Sequence, residues 1–412
     1  MGRAQIRVEN FTGKPICALV CSVLNGGDVR LQMPFIKHFA DKHFFLLYFN
    51  SVHYYPSVLK YIVEHREDFS AFLPVLPDGI ESLRFFFKEE DRNISLHEAV
   101  IDKYLRSVLQ KEYARITTCY LSMQEGMKPG GGVGFIRDVF FRTAEGSMLA
   151  LINERSLMRN AFSNTPYLEL LNCDSTLVNG GFWVGPDYLL VGVSEFMRSG
   201  TLRVLDKDKQ IRLQTELSKH FINARDFPII WLQAEPAVNY AGLSNYFPFA
   251  GHLDDFLCPI KTETSSDIYL YADLDPAYYC GLGDALSPGI VELQQPLLAN
   301  IEMQLTGVLK LKGRVLEAVK IPVLWDDAAF YPYTNCIVDY DAGATILNMP
   351  SYRVRDDDRF NRVSGLCELE IERRIAKRFG QSVVIRWVKD YNFTDSVRSA
   401  KGSLHCLISA VY

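Results

Sequence analysis

Residues 401–412 read KGSLHCLISAVY. A Gly-Ser pair opens a short apolar run, and His405 and Cys406 stand side by side, with Tyr412 six positions beyond the cysteine. Two interpretations compete. The stretch is a last core strand with a buried thiol, or it carries a nucleophile that remote parts of the chain are arranged to meet. The rest of the sequence has to choose between them.

The chain has 412 residues, enough for one large domain or a large domain with a small one. With 48% hydrophobic and 23% charged residues it can build a core without disulfides or metals. A net charge of -5 lacks the basic footprint of proteins that read a nucleic-acid backbone, so no nucleic-acid partner is expected. The cysteines at 17, 21, 119, 173, 258, 280, 336, 367 and 406 are scattered and form no CxxC pair. That usage points to reduced thiols and a cytoplasmic setting. The opening MGRAQIRVENFTGK has no signal architecture, and ICALVCSVL is too short to cross a bilayer. Ile6 stands where a myristoylation motif needs Ser or Thr, so no membrane partner is expected.

Residues 1–85 read as a small N-terminal unit of mixed α/β or β character, and 86–412 as the main domain. In the first part, QIRV, ICALVCSVL and FFLLYF alternate with the turns NGGD (25–28) and LPDG (76–79), and 56–67 fits a helix. Ser95 and Glu98 form a capping-box pattern, followed by Ala99, Val100, Tyr104, Leu105 and Leu109 at helical spacing. The strand ITTCYLSM, the turn KPGGGVG and the strand GFIRDVFFRT come next. Residues 177–194 read as two strands around GPD, then a helix at 211–224 and the strand PIIWLQA. Near the end a helix closes at Gly380, a good residue just past a C-terminus, and VVIRWVKD follows as a strand. The recurrence predicts an α/β fold assembled from similar modules.

Four stretches carry residues suited to chemistry. FIRD holds Asp138 after a glycine-rich turn, and Asn179-Gly180-Gly181 makes a tight turn. AGHLDDF holds His252 and Asp254, which share a face if the segment is a strand. GSLHC holds Cys406. Alone, each has an ordinary explanation: a strand-end Asp, a hairpin turn, a hydrogen-bonded pair, an inert buried thiol. KPGGGVGF lacks the Gly-Lys-Ser/Thr ending of a phosphate loop, and no HExxH or zinc-spaced Cys/His cluster is present. Asp356-Asp357-Asp358 reads as a solvated loop, and the aromatics of NYAGLSNYFPFAG could line a cleft.

Taken in order, the four stretches resemble the guanidino-group-modifying enzymes of the pentein superfamily. Those families carry an Asp in an RD-like strand, a Gly-Gly turn before a vlvGxS strand, a His-x-Asp and a late Cys. Here they correspond to Arg137-Asp138, Gly180-Gly181 with Leu190-Val191-Gly192-Val193-Ser194, His252-Leu253-Asp254 and His405-Cys406. AGHLDDFL looks most like a stretch of the protein-arginine deiminases, and the resemblance covers roughly residues 90–412. It implies a five-bladed α/β propeller of ββαβ modules, with Asp138, His252, Asp254 and Cys406 at one central channel and His405 facing away from it.

The implied chemistry is coherent with the residue types. A guanidinium is planar and forked, so Asp138 and Asp254 would each grip its edge through charge-assisted hydrogen bonds, with Asn179 and Gly180 lining the site. Cys406 would attack the central carbon as a thiolate, and His252 would serve as general acid and then general base. The product from peptidyl-arginine would be citrulline. Alternatives are a deiminase, hydrolase or amidinotransferase of a small guanidine such as arginine or agmatine, and a non-catalytic pentein binding module. No cofactor or metal is implied: Arg137 and Val139 flank Asp138 where calcium-binding relatives carry carboxylates, and Asn179 replaces the Glu of a Glu-Gly-Gly turn. The oligomeric state is left open.

Overall fold

The structure is a computed structural model. It describes residues 13–23, 28–49, 52, 56–90, 93–121, 140–142, 148–152, 168–172, 182–184, 188–192, 211, 215, 229–232, 253–261, 267–281, 295, 298–299, 302–307, 309–326, 329–390, 393–395, 397 and 403–411.

The apolar run ICALVCSVL supplies β1 (Ala18–Ser22), whose five residues are all buried. After α1 (Met33–His38) comes β2 (His43–Phe49), then α2 (Pro56–Glu64), α3 (Arg66–Phe69), α4 (Ile80–Glu89), α5 (Ile94–Leu109) and β3 (Ile116–Leu121). The helix expected over 56–67 is thus two pieces, broken at His65, whose ring nitrogen Nδ1 turns back to the carbonyl of Tyr61 at 3.0 Å. Helix α5 begins before the expected capping box, because Asn93 takes the N-cap and its Oδ1 accepts from the Leu96 amide at 3.0 Å.

Beyond β3 one pairing pattern repeats. Strands β4 (Phe140–Arg142), β5 (Met148–Ile152) and β6 (Leu168–Asn172) form a sheet, antiparallel and then parallel. The same holds for β7 (Phe182–Val184), β8 (Leu189–Gly192) and β9 (Ile229–Leu232). It holds again for β10 (Leu257–Ile260), β11 (Asp267–Asp273) and β12 (Leu316–Pro322). After the short pair β13 (Leu324–Trp325) and β14 (Phe330–Tyr331), it returns in β15 (Ile337–Asp341), β16 (Ala344–Ser351) and β17 (Val383–Lys389). Parallel neighbours need a crossover, and α6 (Asp358–Phe379) supplies it between β16 and β17. Asp357 caps α6 by accepting from the Phe360 amide at 2.9 Å, so the Asp356–Asp358 run is a helix start and not a bare loop. Gly380 ends it at φ 59°, a conformation glycine adopts without strain.

The fifth sheet is made by the two ends of the chain. Strand β18 (Ile408–Val411) pairs antiparallel with β1, β1 is parallel to β2, and β2 is parallel to β3. The boundary expected at residue 85 therefore falls inside α4, and the sheet runs across it. Strands β1, β2 and β3 and the last strand share one sheet in the order β18-β1-β2-β3, so the two edges of β1 are covered by β18 and β2. Among the described residues there are thus five sheets of three or four strands, all opening on an antiparallel pair followed by a parallel one.

Three pairs of neighbouring sheets touch. Tyr188 beside β8 and Tyr269 of β11 bring their hydroxyls to 2.6 Å. The Lys261 amide after β10 donates to the Tyr340 hydroxyl of β15 at 3.2 Å. The Ile16 amide donates to Asp339 of β15 at 2.6 Å, and Lys42 reaches the same carboxylate at 3.2 Å. No helix among the described residues is long and apolar enough to cross a membrane.

Candidate active site

Cys406 is not on the last strand. Residues Leu404–Leu407 form a single helical turn, α7, whose amides at Cys406 and Leu407 donate to the Ser403 carbonyl at 3.1 and 3.2 Å. Strand β18 starts two residues later. A helical step turns successive side chains by about 100° where a strand turns them by about 180°. His405 therefore does not face away, as alternation on a strand predicts; it lies beside the thiol's own partner.

That partner is Asp254. It sits in a 3₁₀ turn over Leu253–Asp255, immediately ahead of β10, and is fully buried. Asp254 Oδ2 lies 2.9 Å from His405 Nδ1 and 3.5 Å from Cys406 Sγ, across 152 residues of chain in the latter case. A carboxylate oxygen accepts, so the His405 proton facing it is on Nδ1. The imidazole is stacked on the indole of Trp183 in β7, with ring centres 5.1 Å apart and planes 18° apart. Trp183 belongs to the second sheet and His405 to the turn that leads into the last strand of the fifth, so the contact joins modules that are not consecutive.

Asn335 completes the cluster, and the sequence analysis did not single it out. Its Oδ1 accepts from the His405 amide at 2.8 Å, and its Nδ2 donates to Cys406 Sγ at 3.2 Å and to Asp255 Oδ1 at 3.3 Å. The neighbouring Thr334 hydroxyl donates to the Asp255 carbonyl at 2.7 Å. Asn335, Asp254, Asp255 and Cys406 are all at or below 2% exposure, so each hydrogen bond is made where water does not compete. Ser403, which anchors α7, is held by the Tyr352 hydroxyl at 2.7 Å; Tyr352 also contacts the Pro332 carbonyl at 2.8 Å. Burial pushes the Tyr352 phenol well above its ordinary value, so it stays protonated and can donate.

Asp138, Asn179, Gly180 and His252 lie outside the described residues. Their positions in the sequence nonetheless follow a rule set by the strands. Asp138 stands two residues before β4, Gly180 two before β7, Asp254 three before β10, Asn335 two before β15 and Cys406 two before β18. Among the described residues, Asp254, Asn335 and Cys406 thus each stand just ahead of the first strand of their module. This offset was the signal that could have found Asn335. Asp254 stands in a 3₁₀ turn and not in a strand, because the Phe256 amide closes on the Leu253 carbonyl at 3.2 Å before pairing with β11 begins.

Among the described residues no group of three or more His, Cys, Asp or Glu could hold a metal ion. The eight described cysteines are free thiols. The cluster instead offers a sulfur with a donor aimed at it, a buried carboxylate beside it, and an imidazole fixed on that carboxylate.

No family model matches the sequence, and no curated protein matches it. Among solved structures, the chain is similar to a Porphyromonas gingivalis protein named as a candidate arginine deiminase, at 12% identity and a TM-score of 0.49, covering 98% of this chain and 97% of that one. It is also similar to a dimethylarginine dimethylaminohydrolase in adduct with 4-chloro-2-hydroxymethylpyridine, at 12% identity and a TM-score of 0.34, covering 96% and 99%. A further dimethylarginine dimethylaminohydrolase, in adduct with S-methyl-L-thiocitrulline, shows 13% identity and a TM-score of 0.28 over 76% and 89%.

Proposed function

We propose that the protein is a cysteine-dependent hydrolase of guanidino groups that converts peptidyl-arginine to citrulline with release of ammonia. The observation that carries the reading is the meeting of Cys406 and Asp254, with Sγ 3.5 Å from Oδ2. A thiol beside a buried carboxylate is costly for a neutral task, since the carboxylate disfavours the thiolate. A cationic substrate resolves that conflict. A guanidinium bound on Asp254 brings positive charge to the sulfur and places its central carbon within reach.

In the proposed reaction the Cys406 thiolate forms a bond to the guanidinium carbon, and the electron pair moves onto a nitrogen. His252 gives its proton to the departing nitrogen, the C–N bond breaks and ammonia leaves. Water then adds to the thiouronium carbon while His252 takes up its proton. The C–S bond breaks, returning the thiolate and leaving the ureido group of citrulline. Asp138 and Asp254 hold the guanidinium, and Asn179 and Gly180 line its pocket.

The five sheets are read as five blades around one axis. Support comes from their common pairing order, from contacts between three pairs of neighbouring sheets, and from the Trp183–His405 stack between modules that are not consecutive. In that arrangement residues 18–121 with β18 are the closing blade, not an appended unit. A cytoplasmic setting, where the scattered cysteines stay reduced, goes with the same reading.

The test compares citrulline and ammonia formed from a peptidyl-arginine, free arginine and agmatine, with Cys406→Ala as control. Preference for the peptide supports the proposal, and preference for a free guanidine moves it to small metabolites. Turnover that survives Cys406→Ala removes the mechanism.

A further inference from the structure

The side-chain amide of Asn335 donates to the sulfur, and an amide can present either of two faces. Flipped, it would offer Cys406 a carbonyl oxygen, which repels a thiolate. Two neighbours decide the orientation. The His405 amide donates to Oδ1 at 2.8 Å, and Asp255 Oδ1 accepts from Nδ2 at 3.3 Å. A flip would set oxygen against the Asp255 carboxylate and N–H against N–H. Of the two hydrogens on Nδ2, one is then taken by Asp255, and the other points at Cys406 Sγ, 3.2 Å away.

Asp255 is itself fixed. It is 2% exposed, its carbonyl accepts from Thr334 at 2.7 Å, and its backbone ends the 3₁₀ turn that carries Asp254. Residues 254 and 255 are thereby divided in task. Asp254 faces the thiol directly, while Asp255 faces the group that faces the thiol.

We propose that Asp255 is a positioning residue that holds the Asn335 amide so that its second hydrogen remains on the sulfur of Cys406. The inference rests on reading Cys406 as the nucleophile. It also explains why a second buried carboxylate is tolerated so near the sulfur. As a bare charge Asp255 would oppose the thiolate; through Asn335 it favours it.

The two effects have opposite signs and can be separated with two neutral replacements. Asp255→Asn and Asp255→Ala both remove the charge, but only Asn keeps an oxygen able to accept from Nδ2. The measured quantity is the ionisation midpoint of Cys406, taken from ultraviolet thiolate absorbance as the difference from Cys406→Ser in the same background. Other ionisable groups around the sulfur, Asp254 and His405 among them, are common to both variants. Asp255→Ala is expected to ionise with about a tenfold lower constant than Asp255→Asn, the size of one hydrogen bond to a charged group. In an Asn335→Ala background that gap is expected to close.

Equal midpoints in the two variants overturn the inference, and so does a gap that persists without Asn335. If Asp255→Ala does not fold, Asp255→Leu fills the same volume without an acceptor and takes its place in the comparison. The kcat for the guanidine substrate should follow the same order. A wild type that turns over no guanidine, with the gap present, removes the proposed function and leaves the role of Asp255 supported.

Discussion

Cys21 lies in the sheet that β18 completes and Cys406 in the helical turn just ahead of β18, and the two differ in almost everything that matters for chemistry. Cys21 pairs with Ile408 across β1 and β18, and Cys406 lies two residues ahead of that same Ile408. Both are buried, at 0% and 1% exposure. Burial alone pushes the Cys21 thiol up to about 12, as expected in apolar surroundings. Cys406 has a carboxylate, an amide donor and an imidazole within its immediate neighbourhood. Exposure does not distinguish the two; a place within a strand against a place in the turn ahead of one does. Mid-strand, the side chains around a thiol come from hydrophobic faces. Just ahead of the strand the chain is turning, and polar side chains from several modules can converge.

Replacing each of the two with alanine tests that contrast most severely. Cys406→Ala should abolish guanidine turnover, a loss on the order of 10³-fold or more for a nucleophile. Cys21→Ala should keep kcat and KM within about twofold and cost about 1 kcal/mol of stability for the small void. Steady-state kinetics with urea unfolding on both variants decides it. A Cys21→Ala variant as dead as Cys406→Ala would end the comparison.

Asn335 comes next in size. Removing one preorganised donor from a buried reacting centre typically lowers turnover about 100-fold, and Asn335→Ala should do so. Asn335→Asp keeps the shape but exchanges the donor for a negative charge, so it should fall at least as far. Activity close to wild type in either variant would mean that the donor on the sulfur is incidental.

A smaller effect separates two tyrosines. The Tyr352 hydroxyl holds Ser403 at the start of α7, whereas the Tyr331 hydroxyl donates to Asp326 at 2.6 Å and to no residue of that turn among the described contacts. Tyr352→Phe and Tyr331→Phe should each cost about 1–2 kcal/mol in urea unfolding, since each leaves a buried polar group without its partner. Only Tyr352→Phe should also lower kcat. Equal kcat in the two variants would show that the turn carrying Cys406 does not depend on Ser403.

Much of this site was legible in the order of short motifs, because chemistry demands particular residue types: Asp254 and Cys406 were both expected, and they meet. Their local conformations were not. An apolar run suggested a strand at Cys406, yet Cys406 and Asp254 both sit in single turns closed by one or two backbone hydrogen bonds, which leave no periodic trace. Asn335 escaped because an asparagine before a strand is an ordinary turn former. Its offset from β15 gains meaning only beside the same offset at β18. The sheet that crosses residue 85 was hidden for a different cause. The pairing of Ala18 with Val411 joins the two ends of the chain, and no local pattern announces a partner that far away.

The joint between α1 and β16 gives the smallest and most conditional effect. His38, at the end of α1, places Nε2 2.9 Å from Asn348 Oδ1 on β16. Asn348 uses its own amide hydrogens on the Ile337 carbonyl at 3.2 Å, so its oxygen faces His38 and Nε2 is the donor. Burial lowers the His38 pKa below its ordinary value; the hydrogen bond to Asn348 and the charge of Asp41 oppose that shift, and Arg386 adds to it. The folded protein therefore binds this proton less readily than the unfolded chain does. Stability from the neutral ring is fully present above the unfolded value of about 6.5 and declines as pH falls below it. His38→Gln retains a donor in place of Nε2 but cannot titrate. Its unfolding free energy should fall less steeply than that of the wild type on going from about pH 7 to about pH 5. Parallel curves would place the acid sensitivity in other groups and leave the two cysteines, not this joint, as the better measure of how position in or ahead of a strand sets chemistry.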